Sequence, residues 1–194
     1  MSHTRHRRSY LFGAVVIAGA LLPARASLAQ DSFDAKSAAH VRQEFVSDMD
    51  TLHVKIVALA KAIPADKYGW RPAPGVRSIS EALMHVAGEW YFWAPSSMAG
   101  KPPADFGDPK TKLPALEKDV TTKDAVVAEL EKSWAHCSTQ LRATDASMLT
   151  GKYKPWNTTV DAAAFGMAGD LHEHLGQLIA YARSVGVRPP WSKP

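Results

Sequence analysis

Between Ala38 and Ile63 the apolar residues Val41, Phe45, Met49, Leu52, Ile56, Leu59 and Ile63 recur at steps of three and four. That spacing makes one stripe of a long helix, and Pro64 closes it. The stretch "PADKYGWRPAPGVR" that follows is dense in Pro and Gly and reads as a loop. Ser78-Ile79-Ser80-Glu81 then has the form of a capping box, predicting a second helix that runs to about Ala94. The segment "APSSMAGKPPADFGDPKTKLPALEKDV" carries so much Pro and Gly that it predicts no regular element, and its length suits a crossover connection. Thr121 or Thr122 caps a third helix with the stripe Val126, Val127, Leu130, Trp134, Cys137 and Leu141. A fourth runs from about Val160 to Val185, where Gly186 and then Pro189-Pro190 stop it. No strand alternation of useful length is present. The expectation is an all-α four-helix bundle with a long crossover between helices two and three.

The first 29 residues do not fit this pattern. A basic start, an apolar run from Tyr10 to Leu22 and the small-residue pattern Ser27-Leu28-Ala29 predict a signal peptide cleaved after Ala29. The apolar run is shorter than the roughly 20 residues a membrane-crossing helix needs, so no stable membrane insertion is expected after cleavage. Arg7-Arg8 followed by Ser9-Tyr10-Leu11 matches a twin-arginine leader. A periplasmic or secreted product follows, its single domain spanning residues 30–194.

Export changes the charge balance. Four of the 23 basic residues lie in the leader, leaving 19 against 19 acidic residues. No basic tract remains to neutralise phosphates, which excludes nucleic acid as a partner. Cys137 is the only cysteine, so no intramolecular disulfide can form and the fold must rest on its apolar core. Its place on the third stripe predicts a structural thiol.

"GDLHEHLGQ", residues 169–177, holds the densest candidate chemistry. At 100° per residue Asp170 and His174 lie one turn apart on one side of the last helix, whereas His172 points nearly the opposite way. On the second helix His85 borders the apolar seam, with Glu81 and Glu89 one turn to either side. Were the two helices to face each other, His85, Asp170 and His174 would offer two imidazoles and a carboxylate. This set suits zinc, iron, nickel or manganese and leaves positions open for water or substrate. Glu89 is a reserve ligand or a candidate general base, with a surface acid as the plain alternative. His53 reads as core-edge, and His40 and His136 carry no spacing signal. The cluster Trp90-Tyr91-Phe92-Trp93 reads as core and rim packing that could also wall a pocket.

"YGWRPAPGVRSISEALMHVAGEW" and "HEHLGQLIAYARSVGVRPPW" together resemble the DinB-like, YfiT-type family of four-helix metal-binding proteins. The resemblance implies an up-down-down-up bundle with three metal-binding histidines. One is on the second helix, matching His85, and two lie four apart on the last helix before a Gly-Gln pair. The later of those matches His174; the earlier falls on Asp170, a departure from the family pattern. The resemblance further implies metal-dependent transfer of low-molecular-weight thiols or isomerisation with a thiol cofactor, acting on a small-molecule substrate. For an exported chain, hydrolysis gains weight beside thiol transfer. The other reading is a non-catalytic bundle that binds a small molecule or a metal, a stress-related homodimer among its forms, with Asp170 marking a degenerate site.

Overall fold

The computed structural model describes residues 34–192; the signal peptide expected at residues 1–29 lies outside them. Asp34 opens α1 (Ala35–Ala62) by accepting the Ser37 backbone N–H at 2.8 Å. Met49, Leu52, Ile56, Leu59 and Ile63 are fully buried, as the stripe requires. The loop after it is ordered by buried Tyr68, whose hydroxyl donates to the Ala60 carbonyl at 2.7 Å. Helix α2 (Ile79–Tyr91) begins with the capping box complete: the Ser78 hydroxyl accepts from the Glu81 N–H and the Glu81 carboxylate from the Ser78 N–H. Such a cap stabilises a helix start by about 1 kcal/mol. It fixes the register of everything that α2 carries.

The second helix ends at Tyr91, earlier than its composition predicts, because the backbone at Phe92 leaves helical geometry. A short α3 (Trp93–Ser97) follows at once. The crossover also differs from expectation, since it contains α4 (Pro109–Asp119). Asp108 caps this helix by accepting from the Lys110 N–H, and Pro109 occupies the first turn, where its missing N–H has no helical partner to lose. None of its residues is buried. It lies on the outside of α2, and the approach is close: a Cβ on Gly88 would stand 2.7 Å from Leu113 Cδ2.

Helix α5 (Lys123–Ala143) buries Val126, Leu130, Trp134, Cys137 and Leu141. A two-residue hairpin, β1 (Lys152–Tyr153) with β2 (Thr158–Thr159), leads into α6 (Val160–Ser184). Gly186 at φ 81° ends it: the Gly186 N–H reaches the Arg183 carbonyl and the Val187 N–H the Ala182 carbonyl. This is the Schellman pattern, which a residue without Cβ adopts at little cost.

The long helices form an all-α bundle in which α1 and α2 each pack on both α5 and α6. Lys61 pairs with Glu131 and Asp50 with Arg142, so α1 and α5 run antiparallel. At the start of α2, the Ile79 N–H bonds Trp70, whose ring meets Tyr181 at the end of α6; at its far end Trp93 shares a cavity with Gly166 and Met167. Thus α2 and α6 also run antiparallel. The Ser80 N–H bonds Tyr68, which bonds Ala60, while Trp90 meets His53, so α1 and α2 are antiparallel too and the order is up-down-down-up. No helix among the described residues is long and apolar enough to cross a membrane.

Candidate metal centre

The facing of α2 and α6 brings three side chains to one point. Glu89 Oε1 stands 3.3 Å from His85 Nε2 and 3.3 Å from His174 Nε2, and the imidazole centroids are 4.8 Å apart. One ligand atom from each of the three lies within 4.8 Å of the others. Glu89 reaches that point because it follows His85 by one turn of α2, and His174 because it borders the buried Leu171-Leu175-Leu178 face of α6.

Glu89 is far from a surface acid: it is 4% exposed, and its Oε2 has no hydrogen-bond partner among the described residues. A buried carboxylate is costly without compensation. Burial opposes its ionisation, but His174 and His85 outweigh it and hold the carboxyl down at about 2. Glu117 and then Glu89 raise the His85 imidazole to about 9 against the opposing effect of burial. The bond to Glu89 likewise raises His174, again against burial.

Each imidazole is oriented from behind. His85 Nδ1 lies 2.8 Å from Glu117 Oε1, and because a carboxylate only accepts, Nδ1 carries the proton and Nε2 faces the cluster. Arg77 grips the same carboxylate with Nε and Nη2 at 2.8 and 3.2 Å. On the other side His174 Nδ1 meets Gln177 Oε1 at 3.3 Å, and Gln177 Nε2 donates to the Tyr181 hydroxyl at 3.1 Å. Carboxylate and amide partners of this kind fix the rotamer and raise the basicity of metal-binding histidines. Arg77 and Glu117 have no counterpart in the sequence expectation.

Asp170 stands at the edge. Its Oδ2 is 3.8 Å from His174 Nε2 and its side chain is about half exposed. Burial, together with the nearby Glu89 carboxylate, pushes it up to about 6. His172 points away as the helical geometry requires, and pairs with Asp48 on α1 at 3.0 Å. His53 is stacked 4.7 Å from Trp134 and bonded to Glu131, while His40 pairs with Glu44 and His136 meets the Lys101 carbonyl.

The donor set fits a divalent metal. Ligands bound tetrahedrally at about 2.0–2.1 Å stand roughly 3.3–3.4 Å from one another, close to both Glu89 distances here. The unpartnered Glu89 Oε2 is a second indication, as a cation would satisfy that carboxylate. Two cavities open onto the cluster. One, of about 300 Å³, lies between α2 and α4 with Met84, Leu113 and Trp93 in its walls and Arg77 and Lys110 among its polar groups. The other, of about 410 Å³, is bounded by Trp93, Trp156, Gly166, Met167 and Asp170. His85 and Glu89 line both.

A helical bundle with two imidazoles and a carboxylate converging between facing helices defines the class of bundle proteins suited to metal binding. Residues 48–178 match the family model of the DinB superfamily, and the chain belongs to that superfamily. The match spans His85, Glu89, Asp170 and His174. No curated protein gives a significant match.

Proposed function

We propose that this chain is an exported, divalent-metal-dependent enzyme, a hydrolase or a thiol transferase, whose metal would be held by His85, Glu89 and His174. The observation that carries this reading is the convergence of His85 Nε2, Glu89 Oε1 and His174 Nε2. Zinc, nickel, iron and manganese all suit two imidazoles and a carboxylate. When bound, such an ion would lower the pKa of water or a thiol and so supply a nucleophile near neutral pH. The reading of export is supported by the signal-peptide pattern of residues 1–29, whose cleavage would leave the product in the periplasm or outside the cell.

The chain's own groups divide the remaining work. Glu117 and Gln177 hold the imidazoles in the rotamers that face the shared point. Glu89, nearly inaccessible, serves as a ligand rather than the base its spacing also allowed. Asp170, half exposed on the wall of the 410 Å³ cavity, is the carboxylate a substrate can reach, and its Oδ atoms are placed to accept a proton.

Metal analysis of the purified mature protein, with His85→Ala and His174→Ala alongside, tests the reading. Stoichiometric metal that is lost in both variants supports it, together with turnover of ester or thiol-acceptor substrates. A metal-free wild type would overturn it, and metal retained without turnover would leave a binding bundle.

A further inference from the structure

The two cavities beside the cluster differ in chemistry. The one under α4 has Arg77 and Lys110 among its lining residues. The larger has no cationic side chain except His85, and its acids Glu89 and Asp170 disfavour an anionic ligand. Its remaining walls are two indoles, a thioether and a glycine.

Those indoles are held but not covered. Trp156 sits in a 3-10 turn, Lys154–Trp156, ended by Asn157 at φ 50° and framed by the two-residue hairpin. Its ring meets Tyr153 edge-on at 5.4 Å, yet it remains 43% exposed. The Trp93 ring is close to parallel with it, at 28°, with centroids 6.5 Å apart, near the outer limit of direct ring contact. Gly166 of α6 adjoins the same indole: a Cβ there would lie 3.5 Å from Trp156 Cζ3, in ordinary van der Waals contact. An aromatic face left open to water gains from being covered by another apolar surface. A volume of about 410 Å³ is in the range of small-molecule sites.

We propose that this cleft binds a flat, apolar small molecule, an aromatic ring or conjugated equivalent, against Trp156 and Trp93, with a polar atom directed to the His85 and Glu89 wall. The assignment of the polar end rests on the metal reading above; that of the flat end rests on the indoles, Met167 and Gly166.

Two hydroxamates that share a metal-binding group separate these parts: benzohydroxamate, with a phenyl ring, and acetohydroxamate, with a methyl. Both are titrated calorimetrically into protein incubated with zinc and into zinc-free protein. The expected result is that zinc-loaded protein binds benzohydroxamate about tenfold or more tightly than acetohydroxamate. Trp156→Ala removes that preference without weakening acetohydroxamate, and Trp156→Phe restores most of it. Trp191→Ala, which alters an exposed indole in a different groove, changes nothing. Zinc-loaded protein that binds the two probes alike, or a preference indifferent to Trp156→Ala, overturns the cleft and leaves the metal reading intact. A protein that takes up no zinc yet keeps a Trp156-dependent preference overturns the metal reading and leaves the cleft. Loss of both behaviours overturns both.

Discussion

His85 Nδ1 and Glu117 Oε1 are 2.8 Å apart, joining the second bundle helix to a helix in the crossover. The bond gives the imidazole one orientation and loads its outer nitrogen with the proton, so Nε2 is left for the cluster. Removing it should weaken metal binding without unfolding the bundle, because no residue of α4 is fully buried and Leu116 meets the core from a half-buried position. Glu117→Ala is expected to lower zinc affinity about 10–100-fold, measured by competition with a chromophoric chelator. Glu117→Gln should lose less, as the amide oxygen still accepts from Nδ1. Unchanged zinc affinity in Glu117→Ala would remove Glu117 from any positioning role.

The third ligand can be decided between Glu89 and Asp170. Glu89→Gln should abolish stoichiometric zinc, since the buried anion supplies the oxygen nearest both Nε2 atoms. Asp170→Asn should keep the metal and lose activity. Asp170→His, which reinstates the histidine of the family pattern, is expected to retain zinc or bind it more tightly. Elemental analysis of the three variants reads this directly, and metal lost only in Asp170→Asn would reverse the assignment.

Zinc affinity should climb with pH. In the metal-free protein Glu117 and Glu89 keep His85 protonated up to about 9, and His174 is raised as well. Metal binding must displace those protons, so log affinity rises by about one per pH unit for each imidazole deprotonated. At pH 7 between one and two protons should appear in weakly buffered solution for each zinc bound. No proton release would mean that the imidazoles are not the ligands.

The stability of metal-free protein follows the same groups with the signs fixed by linkage. His85 is raised from 6.5 to about 9, so its contribution is complete below about pH 6.5 and is lost as pH rises through 9. Glu89 is lowered from 4.5 to about 2, so its contribution is present above about pH 4.5 and is lost as pH falls toward 2. Thermal melts of the metal-free protein should therefore decline from pH 6.5 to 9, and His85→Gln should flatten that decline.

Cys137 is fully buried in α5, and burial pushes its thiol well above the range in which a thiolate forms. A disulfide-exchange reagent should leave it untouched in native protein and modify it completely in denaturant. Prompt labelling of the native state would contradict the packing of α5 against its neighbours.

Much of this arrangement could be read from residue order. Capping at Ser78, the stripe from Met49 to Ile63 and the stop at Gly186 are local rules, and each holds in the folded chain. The one-turn spacing of His85 and Glu89, and the outward direction of His172, follow from helical geometry alone. Helix α4 was obscured for a physical reason. Pro114 lies inside it and no residue is buried, so neither composition nor apolar periodicity marks it. Only Asp108-Pro109 signals its start, as a cap followed by a first-turn proline. Glu117 was therefore hidden with it. The choice between Glu89 and Asp170 turns on depth, which depends on how α2 and α6 meet rather than on either helix alone.

A helix with no buried residue is less constrained by core packing than the four long ones. Because α4 nonetheless supplies the carboxylate behind His85, the donor strength of that imidazole is governed from a segment whose residues can vary while the scaffold stays whole. Relatives with the same bundle could thus differ in how firmly they grip a cation, through exchanges confined to one peripheral helix of 11 residues.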